Sequence, residues 1–390
     1  MIMVNKNNWK EVKIGDYVDH IEVNERNPDK RKDAKFVSVE HTSILDLRIN
    51  GVASEEQPSF NRTFKTGQIL FAKRWAISTP YPSKIAVAHF DGICSPHLWA
   101  LETKSGLLQS LLPFILQTNS FFEYANMNSA GSLAGVYLKW EPFSQYKFKL
   151  PPPVDQKQMS DLFESIVAAM EQVEGQEKNL KSLWLRLIND FVSDNPSFGN
   201  LIKEKKLQTV NYSDVTKKIM RRISPESYGI EKIIGGEHLN AEDFKIRTWD
   251  TVGIDPLGPA FHVLFQPGDI LYGSRRTYLK KVAFAEFEGV CANTTYVIRA
   301  NEELLLQDLL KHIMLSERFT QYSIGVSKGS TNPYINWKDL DNFSFQIPDI
   351  ETQKEIVKVL DSIIEIREQL KQQKATLKNL KQKLLNEILG

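Results

Sequence analysis

The feature of this sequence that most constrains its fold is a long internal repeat. When the chain is shifted by 197 positions, Glu40-His41 falls on Glu237-His238, and the only two cysteines, Cys94 and Cys291, fall on each other. A repeat of this length is a whole domain, because solenoid repeats run from about 20 to 50 residues. The sequence therefore predicts two similar domains, which suits a target with two similar halves.

The repeat also locates short insertions and strands. The segment 64–71 falls on 265–272 at a shift of 201, which places about four extra residues of the first half near Trp75 to Pro82. Apolar or alternating runs at Lys35–Val39, Gly67–Ala72 and Lys84–Phe90 predict strands. Helix-like stretches follow at 107–124 and 303–322.

Composition limits the class of protein. The chain has 390 residues, 42% hydrophobic and 25% charged, which is ordinary for globular domains. Two cysteines exclude a disulfide framework, and their equivalent positions predict small buried hydrophobes. No signal peptide and no long apolar run is present, so we expect a cytoplasmic protein without membrane contact.

Two leucine-, glutamate- and lysine-rich segments without proline predict long helices, which divide the chain into residues 1–153, 154–197, 198–348 and 349–390. Their apolar residues alternate in steps of four and three, which is the spacing of a coiled-coil seam. Pairs 155/158 and 352/355 fit capping boxes. The predicted seam residues are Leu162, Ile166, Val173, Leu180, Leu183, Leu187, Val359, Ile363, Leu370, Leu377, Leu380 and Leu384.

Gln176 and Gln373 occupy equivalent positions of this predicted seam. They either fix the register of the helix pair or point to solvent. In a chain ordered domain–helix–domain–helix, a pseudo-twofold arrangement pairs the two helices antiparallel. The predicted fold is α+β, with two pseudo-twofold-related αβ domains separated by two long antiparallel coiled-coil helices.

No catalytic motif is recognisable in the sequence. There is no nucleotide-binding glycine loop, the seven histidines form no metal-binding pair, and Asn332-Pro333-Tyr334 lacks the second proline of the amino-methyltransferase motif. We therefore expect no catalytic residues and no metal site. The net charge of +1 argues weakly against nucleic acid, although local basic clusters exist at 26–35, 203–222 and 275–281.

Four motifs occur in the same order in both halves. They are a Gly-x-Ile-Leu strand (Gly67–Leu70 and Gly268–Leu271) with basic residues soon after, a Gly-Ser turn, an aromatic strand ending in proline, and a glutamine at the start of the long helix. Together with the two heptad helices, they make the chain resemble the specificity subunit of type I restriction-modification systems over nearly its whole length.

The resemblance implies a function without catalysis. Each domain would be a target recognition domain that reads one half of a bipartite double-stranded DNA sequence. The helices would act as a spacer and as the docking surface for two methyltransferase subunits, and motor or restriction subunits would join through the complex. The chain itself would bind no cofactor, because S-adenosylmethionine, ATP and magnesium would be held by the partner subunits.

Residues beside the repeated strands and turns are the candidate DNA contacts. Arginine at a strand exit can reach a guanine edge, and a Gly-Ser turn lets the backbone approach phosphate. Surface ion pairs and plain hairpins are the structural alternatives. The candidates are Lys73, Arg74, Arg275, Arg276, Lys328, Thr331, Asn332, Tyr334, Ser132 and Tyr137.

Two hypotheses from different classes remain open at this point. One is a DNA-recognition subunit, and the other is a tandem adaptor that grips a two-fold symmetric protein. A self-contained modification enzyme is disfavoured by the absence of cofactor motifs. A basic groove would support the first hypothesis and a neutral apolar groove the second.

Overall fold

The chain forms two compact units in a computed structural model, which describes residues 6–27, 31–42, 47–53, 61–75, 84–132, 135–255 and 258–390. Unit 1 comprises Met1–Gln176 and Leu370–Gly390, and unit 2 comprises Glu177–Gln369. Each long helix contributes one part to each unit. The extra residues expected near Trp75 to Pro82 lie, after Trp75, outside the described residues.

In its described part, unit 1 is built from short strands in four sheets. A four-stranded antiparallel sheet has the order β2-β9-β5-β7, and smaller sheets have the orders β3-β8-β4, β10-β11-β6 and β1-β12. The strands are β1 Lys10–Lys13, β2 Val18–Ile21, β3 Phe36–Val37, β4 Arg62–Phe64, β5 Ile69–Ala72, β6 Arg74–Trp75, β7 Ile85–Val87, β8 Gly92–Cys94, β9 Leu98–Thr103, β10 Ala130–Ser132, β11 Gly135–Tyr137 and β12 Lys147–Leu150.

Unit 2 repeats the main sheets at equivalent positions. Its sheets have the orders β14-β21-β18-β19, β16-β15-β20-β17 and β13-β22. The strands are β13 Gln208–Asn211, β14 Thr216–Ile219, β15 Lys232–Ile234, β16 Asp250–Thr251, β17 Phe261–Phe265, β18 Ile270–Gly273, β19 Val282–Phe284, β20 Gly289–Ala292, β21 Thr295–Ala300 and β22 Ser344–Ile347.

Helices complete both units and include two of 39 residues each. Among the residues that the structure describes, short 3-10 turns lie at Lys6–Asn8, Val39–His41 and Thr277–Leu279. The α-helices are α1 Ile14–Tyr17, α2 Leu112–Ile115, α3 Asn119–Met127, α4 Trp140–Ser144, α5 Pro153–Phe191, α6 Tyr212–Val215, α7 Pro225–Tyr228, α8 Gln307–Ile313, α9 Glu317–Gly325, α10 Trp337–Leu340 and α11 Ile350–Ile388. The predicted α+β class with two domains is confirmed.

Each predicted mid-domain helix is in fact two helices. Thr118 and Ser316 begin α3 and α9 because their side-chain oxygens accept the backbone N–H groups of Phe121 and Phe319 at 3.3 and 3.2 Å. A side-chain oxygen cap of this kind marks the start of a new helix, so the preceding helix ends before Thr118 and Ser316. The predictions of single helices at 107–124 and 303–322 were therefore wrong at this point.

The repeated cysteines are fully buried, as predicted. Burial raises the pKa of both Cys94 and Cys291 to about 12, so neither is a reactive thiolate. The glycines two residues before them are required by packing. A Cβ at Gly92 would lie 2.6 Å from the Lys35 carbonyl oxygen, and one at Gly289 would lie 2.8 Å from that of Lys232.

The long helices begin differently from the prediction. Asp349, one residue before α11, accepts the Thr352 N–H at 2.9 Å, so it caps the helix and Thr352 lies inside it. Helix α5 begins at Pro153, so Asp155 is also internal. Both predicted capping boxes were placed too late in the sequence, because proline and aspartate before them already start the helices.

The buried seam of the long helices differs in part from the predicted one. Ile166, Val173, Ile363 and Leu370 are buried as predicted, whereas Leu183, Val359 and Leu380 are exposed and Leu162, Leu180, Leu187, Leu377 and Leu384 are half-buried. The intervening buried positions are one residue further on. They are Phe163, Met170, Trp184, Ile188, Leu360, Arg367, Lys381 and Leu385.

Two adjacent columns of apolar residues explain this difference. Positions 162/163, 183/184 and 187/188 each offer two apolar side chains, and the heptad pattern alone does not choose between them. In α11, the buried column contains Arg367 and Lys381. Charged residues such as these are not assigned to a seam that is predicted from hydrophobicity alone. Gln176 and Gln373 point to solvent, which rules out the register role considered for them.

Buried polar contacts hold the antiparallel helix segments within each unit. In unit 2, the Arg367 guanidinium donates to Glu177 at 2.9 Å. In unit 1, Lys381 is fully buried and donates to the Gln117 side chain at 3.0 Å. A buried charge is stable only when its hydrogen bonds are satisfied, so these contacts restrict the pairing register.

The repeated glutamine at the start of each long helix fastens it to its domain. Gln156 accepts the Leu108 N–H at 2.7 Å and donates to the carbonyls of Gly106 and Pro151 at 2.8 and 2.9 Å. Gln353 makes the three equivalent bonds, to Leu306, Leu304 and Pro348, at 3.0, 2.8 and 2.9 Å. This explains why a glutamine follows the proline in both halves.

Candidate nucleic-acid interface

In unit 1, the structure brings together three of the predicted site residues. Arg74 on β6 and Tyr137 on β11 are directly paired across two strands, and the guanidinium carbon lies 5.1 Å from the tyrosine ring centre. Lys73 precedes Arg74 and lies over the Trp99 ring at 5.5 Å. The cross-strand pair places a cation and an aromatic face on the same short sheet.

A cleft of about 740 Å³ opens beside this pair. Its walls include the rings of His20, Trp99 and Trp140, with His20 and Trp140 only 4.3 Å apart between ring centres. Burial lowers the pKa of Lys73, which lines the same cleft. Aromatic walls with a cation at the rim suit the faces and edges of nucleobases.

His97 completes the cluster, although the sequence analysis did not identify it. Its Nε2 lies 3.3 Å from Nη1 of Arg74, which can only donate, so Nε2 accepts and the proton of the neutral ring is on Nδ1. Burial, followed by the charges of Arg74 and Lys73, lowers the pKa of His97. Single histidines far apart in sequence carry no pattern, so only the fold reveals His20 and His97.

In unit 1, the glycine of the Gly-Ser turn is required by the packing of the β10–β11 hairpin. A Cβ on Gly131 would lie 2.2 Å from the Gly135 carbonyl oxygen, so close strand contact already requires glycine. Ser132 pairs with Gly135 in the β10–β11 hairpin, and its side chain lies outside the described part of the structure. The glycine is therefore no evidence for phosphate approach at this position.

Unit 2 repeats the arginine–tyrosine neighbourhood. Arg275 forms an antiparallel bridge with Tyr334, as Arg74 does with Tyr137 in unit 1. Tyr334 also exchanges backbone hydrogen bonds with Lys328, at 2.7 and 2.9 Å. Both Arg275 and the 43% exposed Tyr334 face solvent.

The remaining predicted residues of unit 2 lie on the same loops. Asn332 accepts from Nε of Arg276 at 3.2 Å, and the Arg276 N–H donates to the Pro333 carbonyl at 2.7 Å. Thr331 is exposed next to them. Lys328 forms an ion pair with Asp339 at 3.1 Å and lowers the pKa of that carboxyl, so its charge is partly neutralised.

The repeated histidines have structural roles. Nδ1 of His41 accepts the Ser38 N–H, and Nδ1 of His238 accepts the Gly235 N–H, each at 2.9 Å. Glu237, His238 and Asp250 are the one three-ligand cluster among the residues that the structure describes. Because Nδ1 of His238 accepts, the neutral ring carries its proton on Nε2, which faces Asp250 and therefore offers no lone pair to a metal.

Comparison with known proteins agrees with this geometry. Residues 202–379 match the family model described as the type I restriction modification DNA specificity domain. The chain is 24% identical over 285 residues to the Escherichia coli EcoDI specificity subunit, with 64% of this chain and 63% of that protein covered. It is 22% identical to the Methanocaldococcus jannaschii MjaVIII specificity subunit, over 98% of this chain and 92% of that protein.

Solved structures show the same fold. The type I restriction-modification S subunit of M. genitalium superposes with a TM-score of 0.57 at 12% identity, covering 100% of this chain and 98% of that one. A chain from a study of assembly and conformational transition of a type I system gives 0.55 at 17% identity, covering 97% of each.

These matches define a class of two-domain DNA-specificity proteins. This chain resembles type I restriction enzyme specificity subunits, and residues 202–379 match the DNA specificity domain of that family. Both of these relatives are named specificity subunits of type I restriction enzymes. The match spans less than two thirds of the Escherichia coli relative. Among the described residues, no helix is long and apolar enough to cross a membrane.

Proposed function

We propose that this chain is the DNA-reading subunit of a type I restriction-modification complex and that each unit reads one half of a bipartite target. The equivalent pairs Arg74–Tyr137 and Arg275–Tyr334 are the observation that carries the proposal. Arginine can donate two hydrogen bonds to a guanine edge, and an aromatic side chain beside it can contact bases or sugars. A chain with two such places suits two half-sites.

The helices offer docking surfaces at equivalent positions of both units. In unit 2, Leu183 and Val359 are each 39% exposed, and their repeat mates in unit 1 are Leu380, which is 44% exposed, and the half-buried Leu162. Exposed apolar side chains beside an already filled seam favour a protein partner. We assign each surface to one methyltransferase subunit, so two copies bind.

The chemistry would belong to those partners. S-adenosylmethionine would bind the methyltransferase subunits, and ATP and magnesium would bind the motor or restriction subunits. This chain would supply the choice of sequence. Its near-neutral net charge of +1 is compatible with partners that contribute much of the phosphate contact.

Selection from random duplexes tests the DNA proposal. The complex of this chain with its methyltransferase subunits should enrich two short constant sequences separated by a spacer of constant length and free sequence. Replacing Lys383, an exposed helix residue distant in sequence from the candidate sites, with alanine should leave both sequences unchanged. Enrichment of no sequence, with stable binding of a symmetric protein, would instead favour the adaptor hypothesis.

A further inference from the structure

The turn between β18 and β19 of unit 2 is unusual in its backbone. Arg276 and Lys280 both have a φ of 50°, in the left-handed region, and they flank the 3-10 turn Thr277–Leu279. Residues other than glycine adopt this conformation at a cost, and they keep it only where the surroundings hold them. Such positions are frequent at functional sites.

Contacts on three sides hold this turn. The Arg276 N–H donates to the Pro333 carbonyl at 2.7 Å. Thr277 is buried, with its hydroxyl 3.4 Å from that of Ser327. Lys280 pairs with Glu317 at 2.8 Å. These contacts hold the turn in its left-handed conformation at Arg276 and Lys280.

The guanidinium of Arg276 is directed by one further contact. Asn332 accepts from Nε at 3.2 Å, which leaves the two terminal nitrogens on the outer edge. Within the described part of the chain, no other hydrogen bond or ion pair engages the Arg276 side chain, which is exposed. Two parallel N–H groups on a fixed edge match the O6 and N7 acceptors of guanine in the major groove.

We infer that Arg276 reads a guanine of one half-site and that Asn332 is its positioning residue. This inference rests on the proposed function and assigns the base class read by unit 2. From its place in the sequence, Asn332 was expected to contact DNA directly. Its hydrogen bond to Nε gives it a different role, which is to fix the plane in which Arg276 meets the base.

Atom-specific DNA analogues test the inference on the full complex. Once the target is known, each guanine is replaced in turn by 7-deazaguanine, which lacks N7 but still pairs with cytosine. One guanine in one half-site should show a loss of affinity of roughly 10- to 100-fold, the range for losing one hydrogen bond from a charged donor. That loss should shrink to less than about 3-fold in Arg276→Ala, because the contact is already missing.

Variants of Asn332 separate positioning from direct contact. Asn332→Leu should shrink the 7-deazaguanine effect, since Arg276 loses its fixed plane. Asn332→Asp keeps an oxygen acceptor and should retain the effect, while its negative charge weakens binding to all DNA alike. Arg275→Ala should leave the effect at this guanine intact, and Arg186→Ala, at an exposed helix position outside the candidate DNA contacts, is the matched control.

Three results would overturn the inference. They are half-sites without guanine, an unchanged 7-deazaguanine effect in Arg276→Ala, and disappearance of the effect in Arg275→Ala instead. Each of these can occur in a complex that still selects a bipartite target. Failure of the wild-type complex to select any DNA sequence would count against the proposed function itself.

Discussion

At the residue scale, the arginines of unit 2 distinguish sequence reading from general DNA affinity. Replacing both Arg275 and Arg276 with alanine should relax recognition in one half-site only. The loss of a specific base contact should cost about 1–3 kcal/mol at that half-site. Competition binding with half-site variants measures this. An equal loss over unrelated DNA, with unchanged preference, would reduce both arginines to phosphate contacts.

A second residue-scale prediction concerns acid sensitivity in unit 2. His312 is fully buried, accepts from the Trp184 indole at 3.1 Å and donates to Asp361 at 2.9 Å. Burial lowers the pKa of His312, although the hydrogen bond to Asp361 opposes the shift. Below about pH 6.5, the unfolded chain takes up a proton that the folded chain refuses, so stability falls.

Thermal unfolding at pH 7.5 and 5.5 measures this effect. The pKa of Asp361 is also lowered, but its loss of stability begins only below the ordinary aspartate range of about 4. His312→Gln removes the titration and should lessen the fall in melting temperature between the two pH values. His89→Gln, at an exposed position, is the control. An identical fall in the His312 variant would show that other groups cause it.

At the element scale, the buried hydrogen bonds of Gln156 and Gln353 should contribute more to the free energy of unfolding than surface hydrogen bonds do. Gln353→Leu leaves one N–H and two carbonyls without their partner, and each unsatisfied buried group costs about 1–3 kcal/mol. We expect a clear drop in the stability of unit 2, with hydrogen exchange accelerated around Leu304 and Leu306. Gln156→Leu should do the same around Gly106 and Leu108 in unit 1. Unchanged exchange in both variants would contradict this role.

The helix surfaces provide another element-scale prediction. Val359→Glu together with Leu183→Glu should remove one docked methyltransferase copy, because charge on an exposed apolar contact resists burial. Native mass measurement of the co-expressed complex should change from two copies to one. Lys358→Glu, a neighbouring exposed position, is the control. Retention of two copies by the double variant would exclude this surface.

Some features of the helices and of the candidate site could be predicted from the sequence, and others could not. The repeat, the two long helices and the choice of Arg74 and Tyr137 as candidate contacts follow from patterns that recur in both halves, whereas the pairing of these two residues comes from the fold. The buried column through Arg367 and Lys381 does not follow from such a pattern, because its charges are stable only through Glu177 and Gln117, which lie far away in the sequence. His97 and the left-handed Arg276 likewise depend on tertiary contacts rather than on a local pattern.

At the scale of the whole molecule, helix length should set the spacer between half-sites. The two units divide at 176/177 and at 369/370, and Gly175 beside the first division is exposed. Inserting four residues at both divisions adds about 6 Å of helix, or at most about two base pairs of DNA. We expect one or two added base pairs in the spacer. A four-residue insertion interrupts the heptad repeat, and local unwinding of the helices can absorb part of the added length. Methylation mapping measures the spacer. An unchanged spacer in the variant would show that helix length does not set the distance between half-sites.

The most direct test of the central claim, that each unit reads one half-site, is methylome sequencing of cells that carry this chain with its methyltransferase subunits. Wild-type cells should show one bipartite motif, with two constant parts and an unspecified spacer. Cells with the Arg275→Ala, Arg276→Ala chain should keep one part unchanged and accept new bases in the other. Equal relaxation of both parts, or a single continuous motif, would contradict the claim.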